Sequence, residues 1–118
     1  MTELVDAIVT YVERKDYVTF AELQQDLAAQ YDTTGMFALT LDHPTLVLWA
    51  GMSERFVDAL TRALDANRIY LHPASVMTYW IDGGALNLPI AKRPPKAGYR
   101  SEHWLPACLR TVPYTGDA

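Results

Sequence analysis

Apolar residues recur at helical spacing from Glu3 to Arg14, where Leu4, Val5, Ile8, Val9 and Val12 form one stripe and predict an amphipathic first helix. Lys15-Asp16 interrupts it, and the β-branched and aromatic run Tyr17-Val18-Thr19-Phe20 predicts a small edge strand. A second helix follows from Ala21 to Gln30, with Leu23 and Leu27 on one face. Thr19 is its candidate cap, and Glu22 sits three residues on, as in a capping box.

The stretch from Tyr31 to Gly51 is longer than the link of a minimal helix-turn-helix. Met36–Leu39 and Leu46–Trp49 are apolar enough for two short buried strands joined by a turn at Asp42-His43-Pro44-Thr45, so a hairpin is the preferred reading. Alternatively, the first run is a helical turn and only Leu46–Trp49 pairs.

Ser53 then has the chemistry to cap a third helix, with Glu54 suited to its positive end. Phe56, Val57, Leu60, Ala63 and Leu64 form its buried side, and Asn67 is a candidate left-handed terminator. Beyond it the pattern changes to strands. Arg68–Leu71 leaves the helix, His72–Ser75 breaks the run, and Met77–Ile81 alternates as a return strand. Asp82-Gly83-Gly84 signals a tight turn into a third strand, Ala85–Ile90.

Consecutive prolines and a glycine make Lys92–Arg100 an extended surface segment. The end, SEHWLPACLRTVPY, is too apolar for a free tail and is expected to dock, leaving Thr115–Ala118 loose. The organisation is therefore one domain: residues 1–91, a basic extended segment 92–100, and a packed C-terminal segment 101–118.

Composition changes this picture mainly through the distribution of charge. With 118 residues and half of them apolar, the chain fits one ordinary globular domain, and its net charge of −4 conceals two unlike halves. Through Asn67 there are eleven acids and four bases; from Arg68 onward there are three acids and six bases. Lys92, Arg93, Lys96 and Arg100 fall together without one acid, which marks the first place to look for a polyanion contact. The charged amino-terminal stretch is unlike a secretory signal and no apolar run is long enough to span a bilayer, so neither is expected and the cytoplasm is the expected location.

Helix, short strand and helix, then a third helix passing into strand, loop and return strand, resembles the winged helix-turn-helix superfamily over roughly Glu3 to Ala91. The resemblance implies an α+β, winged-helix-like fold of three helices with a small antiparallel β-sheet as wing, here carrying a docked C-terminal extension. It also implies a DNA-binding function, with the outward face of helix 53–67 reading base edges in the major groove. Carried onto this sequence, the reading set is Arg55, Asp58, Thr61 and Arg62.

The plain alternative is that Arg55, Asp58 and Arg62, spaced three and four apart, form intrahelical ion pairs on a solvated face. The expected wing tip, His72–Val76, has no Lys or Arg, so phosphate contacts fall to Lys92, Arg93, Lys96 and Arg100. Tyr99, within that segment, is expected to pack on the domain.

Candidate chemistry is otherwise sparse. His43 and His72 each precede a proline in an expected turn, His103 adjoins Trp104, and none has a Cys or acid at metal-ligand spacing; no metal or cofactor is expected. Cys108 reads as a buried thiol. Pairs such as Glu22 and Asp26 read as solvated helix charge, and no enzymatic function is expected. The chain is thus expected to be a small regulator, transcriptional or of a mobile element, that binds double-stranded DNA. A protein-interaction module, with Met36, Phe37 and Trp49 partly exposed, or a homodimeric structural protein on the same fold, is the alternative.

Overall fold

The apolar stripe of the first helix is the face that the fold buries: α1 (Thr2–Lys15) hides Leu4, Val5, Ile8 and Val12, while Val9 is partly covered. The computed structural model describes residues 2–116, which form an α+β fold of four helices and two three-stranded sheets. After α1 the chain turns through two left-handed residues, Asp16 (φ 56°) and Tyr17 (φ 49°). Asp16 accepts from Tyr17 N at 2.9 Å, and its two oxygens accept from Arg110 at 2.8 and 2.9 Å.

Those hydrogen bonds, above all from Arg110, hold the Asp16 carboxyl below the usual aspartate range. A carboxyl depressed in the folded state stabilises above its unfolded pKa, about 3.9, and that contribution is lost as pH falls through the folded value. Asp16→Asn tolerates the left-handed backbone. It is expected to lower the unfolding temperature near neutral pH and to converge with the parent as acidification carries the pH below the usual aspartate range and through the depressed folded value, as thermal unfolding across that range would show.

The strand β1 (Val18–Thr19) leads into α2 (Phe20–Leu27), shorter at its end than the predicted helix. Thr19 Oγ1 accepts from Glu22 N at 3.1 Å, so half of the capping box forms. The reciprocal half does not, because the Glu22 carboxylate accepts from the Tyr11 hydroxyl of α1 at 2.8 Å instead.

A hairpin follows, longer than expected: β2 (Thr34–Leu41) and β3 (His43–Met52), antiparallel and joined at left-handed Asp42 (φ 67°). Two corrections apply. His43 opens a strand where a turn was expected, and β2 is not a buried strand, since Leu39 is its one buried residue while Met36 is 97% and Phe37 49% exposed. The reason is position: β2 is an edge whose register against β3 shifts repeatedly, whereas Leu46–Trp49 of β3 lie inside. Gly35 allows β2 to approach the end of β3 closely, since a Cβ there would sit 2.8 Å from the Met52 carbonyl oxygen.

The third helix, α3 (Glu54–Asp65), starts and stops as the residues dictate. Ser53 Oγ accepts from Phe56 N at 3.1 Å. At the far end Arg68 N donates to Ala63 O and Asn67 N to Leu64 O, both at 3.0 Å, closing a Schellman motif around left-handed Asn67 (φ 56°). Its buried side is Phe56, Ala59, Leu60 and Ala63.

The expected β-meander does not form. β4 (Tyr70–Pro73) runs through His72 and Pro73, which were expected to break it; as an edge strand it tolerates a terminal proline. Met77–Ile81 belongs to a helix, α4 (Val76–Ile81), capped by Ser75 Oγ accepting from Thr78 N at 3.3 Å. Tyr79 decides this by tertiary contact: it is fully buried, its hydroxyl donates to Ala107 O and accepts from Phe20 N, and its ring lies 5.0 Å from Trp49 and 4.9 Å from Trp104. Asp82-Gly83-Gly84 is accordingly a helix exit, and within Ala85–Ile90 only Ile90 forms an isolated bridge, to Trp104.

The missing strands come from the C-terminal segment. β5 (His103–Trp104) pairs parallel to β3, giving the order β2-β3-β5, and β6 (Ala107–Arg110) pairs antiparallel with both β1 and β4, giving β1-β6-β4. The segment 101–118, expected to pack on a finished domain, supplies the central strand of one sheet. Thr115 and Gly116 are irregular and exposed; the rest of the expected loose tail, Asp117-Ala118, lies outside the described residues.

Candidate nucleic-acid interface

Burial of Phe56, Ala59, Leu60 and Ala63 leaves Arg55, Asp58, Thr61 and Arg62 exposed on α3. The intrahelical ion pairs that their spacing allows do not form: among the described residues the ion pairs are Arg68–Asp6 at 2.9 Å and Arg110–Asp16 at 2.8 Å. Among the described residues Arg55, Asp58 and Arg62 thus have no ion-pair partner. Thr61 differs from them, because its hydroxyl donates to Val57 O at 2.9 Å. It lines a cavity of about 330 Å³ with Leu39, Thr40, Leu64 and Asp65, on the flank where β2 packs against the helix.

The basic segment is held by its backbone, which leaves its charged side chains outside. Lys96 O bonds to the His43 ring Nε2 at 2.8 Å, Tyr99 N donates to Thr45 Oγ1 at 3.1 Å, and a turn closes from Gly98 N to Pro95 O at 2.9 Å. Gly98 takes φ 82° with the His43 ring against it, a conformation that suits glycine. The Tyr99 ring packs on the protein as expected, stacked 3.6 Å from the His103 ring and nearly parallel to it. Lys92, Arg93, Lys96 and Arg100 are all exposed, and among the described residues none has an ion-pair partner.

The two parts of the expected site rest on different strands. α3 packs against β2, one edge of the sheet β2-β3-β5, whereas the segment 92–100 is anchored on β3 and stacked on β5 at the other edge. Its anchors His43, Thr45 and His103 are residues that the sequence did not connect with it, because each lies far away along the chain or carried no motif. His72 stands apart, bonded to Val112 O at 2.7 Å and edge-on to Tyr114.

Elsewhere the titratable groups serve the framework. The Tyr11 hydroxyl donates toward Glu22 and toward Asp26, so these acids tie α1 to α2. Burial first, and then the two carboxylates, push the Tyr11 pKa far up and keep its proton in place. Cys108 is buried and burial raises its thiol pKa, which removes the thiolate needed for reactivity. Among the described residues no helix is long and apolar enough to cross a membrane. No family model matches the chain, and neither a curated protein nor a solved structure resembles it closely enough to count as a relative.

Proposed function

We propose that the chain is a small cytoplasmic DNA-binding protein of winged-helix type, a regulator of transcription or of a mobile element, that sets α3 in the major groove and contacts phosphates with Lys92, Arg93, Lys96 and Arg100. The carrying observation is where those four bases lie. The stretch 74–106 joins β4 to β6, an antiparallel pair formed after the third helix, and a winged-helix domain carries its wing between such a pair. The chain order α1–β1–α2–α3–β4–β6 with sheet order β1-β6-β4 supports the same reading, the hairpin β2–β3 being an insertion before α3. The two edges of the sheet β2-β3-β5 stand two strand spacings apart, about 10 Å, which is comparable with the width of a major groove.

On this reading the short turn at His72–Val76 is no longer the wing tip, and its lack of bases ceases to count against DNA. Arg55 and Arg62 are the base-reading candidates, since each is exposed and has no ion-pair partner among the described residues; Thr61, turned to its own helix and to β2, is the weaker member.

Titration of a random duplex at two salt concentrations tests the proposal. Binding at low salt with a log–log slope of about −3 to −4 is expected for four phosphate contacts, and absence of binding at low salt would remove the reading. Arg62→Ala is expected to relax base preference by about 1–3 kcal/mol while leaving the salt slope nearly unchanged. Selection of bound sequences from a random pool, parent against variant, measures that effect.

A further inference from the structure

The cavity of about 330 Å³ on the flank of α3 is walled by the hairpin β2–β3, the end of the helix and the start of β4. Its lining is mainly aliphatic: Leu39, Leu48 and Ile69 are buried, and Leu41, Leu64 and Leu71 are partly so. Volume sets the size of what fits. An apolar cavity of about 150 Å³ holds a benzene ring, so this one has room for about twice as many atoms, roughly a dozen, at the lower end of the range that takes small ligands. Leu41, Leu48 and Leu71 also line a second, smaller lobe of about 190 Å³ bordered by Tyr114, so the apolar surface runs on beyond the first cavity.

Charge identifies the head group. Among the described residues Asp65 is the charged side chain of this lining, which contains no Lys, Arg or His. Its carboxylate has no ion-pair partner among them: Arg62, three residues earlier on the helix, makes no ion pair, and Arg68 is held by Asp6. Asp65 also stands in the last turn of α3, where the partial negative charge of the helix end disfavours an acid and favours a cation. An anionic ligand would meet repulsion from both the carboxylate and the helix end. A cation would relieve both.

We propose that this cavity binds a small hydrophobic amine, with its apolar body against Leu39, Leu64 and Ile69 and its ammonium group at Asp65. The site is separate from Lys92–Arg100 and stands whether or not the chain binds DNA.

Three probes of matched shape separate the contributions: phenylbutylamine, phenylbutanol and phenylbutyrate share ring and tail and differ in the charge of the head group. Titrated into the isotopically labelled full chain and followed by amide NMR, the amine is expected to give saturable shifts confined to β2, the last turns of α3 and β4, with a Kd in the millimolar range or tighter. The alcohol should bind about two- to fivefold more weakly, as expected for one solvent-exposed charge pair, and the butyrate more weakly still. Asp65→Asn, at an exposed position, should bring the amine down to the affinity of the alcohol without lowering the unfolding temperature. Thr40→Trp, at an exposed position of β2 in the lining, should fill the cavity and abolish binding of amine and alcohol alike. Absence of saturable shifts with the amine, butyrate binding as tightly as the amine, or unchanged amine binding in either variant would overturn the proposal. Shifts spread over the acids of α1 and α2 would mean general attraction of a cation to an acidic chain, and would overturn it as well.

Discussion

Ending the chain after Ser101 is expected to abolish cooperative folding, although residues 1–91, the expected domain, remain intact. The removed segment contributes β6, which stands between β1 and β4, so its loss leaves both without a hydrogen-bonded neighbour. It also removes Trp104 and Leu109, each fully buried, and Ala107 and Cys108, each nearly so. Trp104 is central to the aromatic part of the core. Its ring lies 5.9 Å from Trp49 and 4.9 Å from Tyr79, and its indole N–H donates to Leu48 O at 3.1 Å. Trp104→Ala alone is expected to cost about 3–5 kcal/mol, a large share of the roughly 5–15 kcal/mol that stabilises an ordinary domain. Urea unfolding followed by circular dichroism measures both effects. A truncated chain that still melts in one sharp transition would mean that the segment merely docks.

Replacing Lys92, Arg93 and Lys96 together by Ala is expected to weaken duplex binding by roughly two orders of magnitude near 0.1 M salt, equally for all sequences. Each phosphate contact contributes about −0.9 to the salt slope, so losing three should bring the slope to about −1. The fold should not notice: the three side chains are exposed, and the segment is held through Lys96 O, Tyr99 N and the Tyr99 ring. Unchanged unfolding with a flattened salt dependence is therefore the joint signature. Unchanged binding in the triple variant would take the segment out of the interface, leaving α3 with two arginines beside Asp58 as the whole contact.

How far the sequence was legible varied with the range of the interaction. Thr19, Ser53 and Asn67 act as predicted because a cap or a left-handed stop is settled within a few residues. The hairpin was foreseen as well, with Met36 and Phe37 buried in the preferred reading and exposed, together with Trp49, only in the alternative of an interaction module. That these two are exposed and Trp49 is buried depends on β2 being an edge and β3 lying inside. Met77–Ile81 misled because its alternation and its aromatic and β-branched residues suit a strand, while burial of one residue, Tyr79, favours a helix. The local signal was nevertheless present, in Ser75 at the capping position. For the candidate site, the identity and clustering of the basic side chains were legible, but the anchors His43, Thr45 and His103 were not, since nothing local links them to residues 92–100.

The chain's sequence by itself determined where α1, α2 and α3 begin, that residues 31–52 turn back on themselves, and that its positive charge gathers between Lys92 and Arg100. Only the tertiary structure decided that β4 pairs with β6 rather than with the next apolar run, that the basic segment consequently lies between those two strands, and that Tyr79 turns inward and leaves Trp80 outside. The physical reason is that closing the several times longer loop costs only roughly 2 kcal/mol more than closing the short one. Burying Trp104 and Leu109 outweighs that difference, and no pattern of neighbouring residues records it.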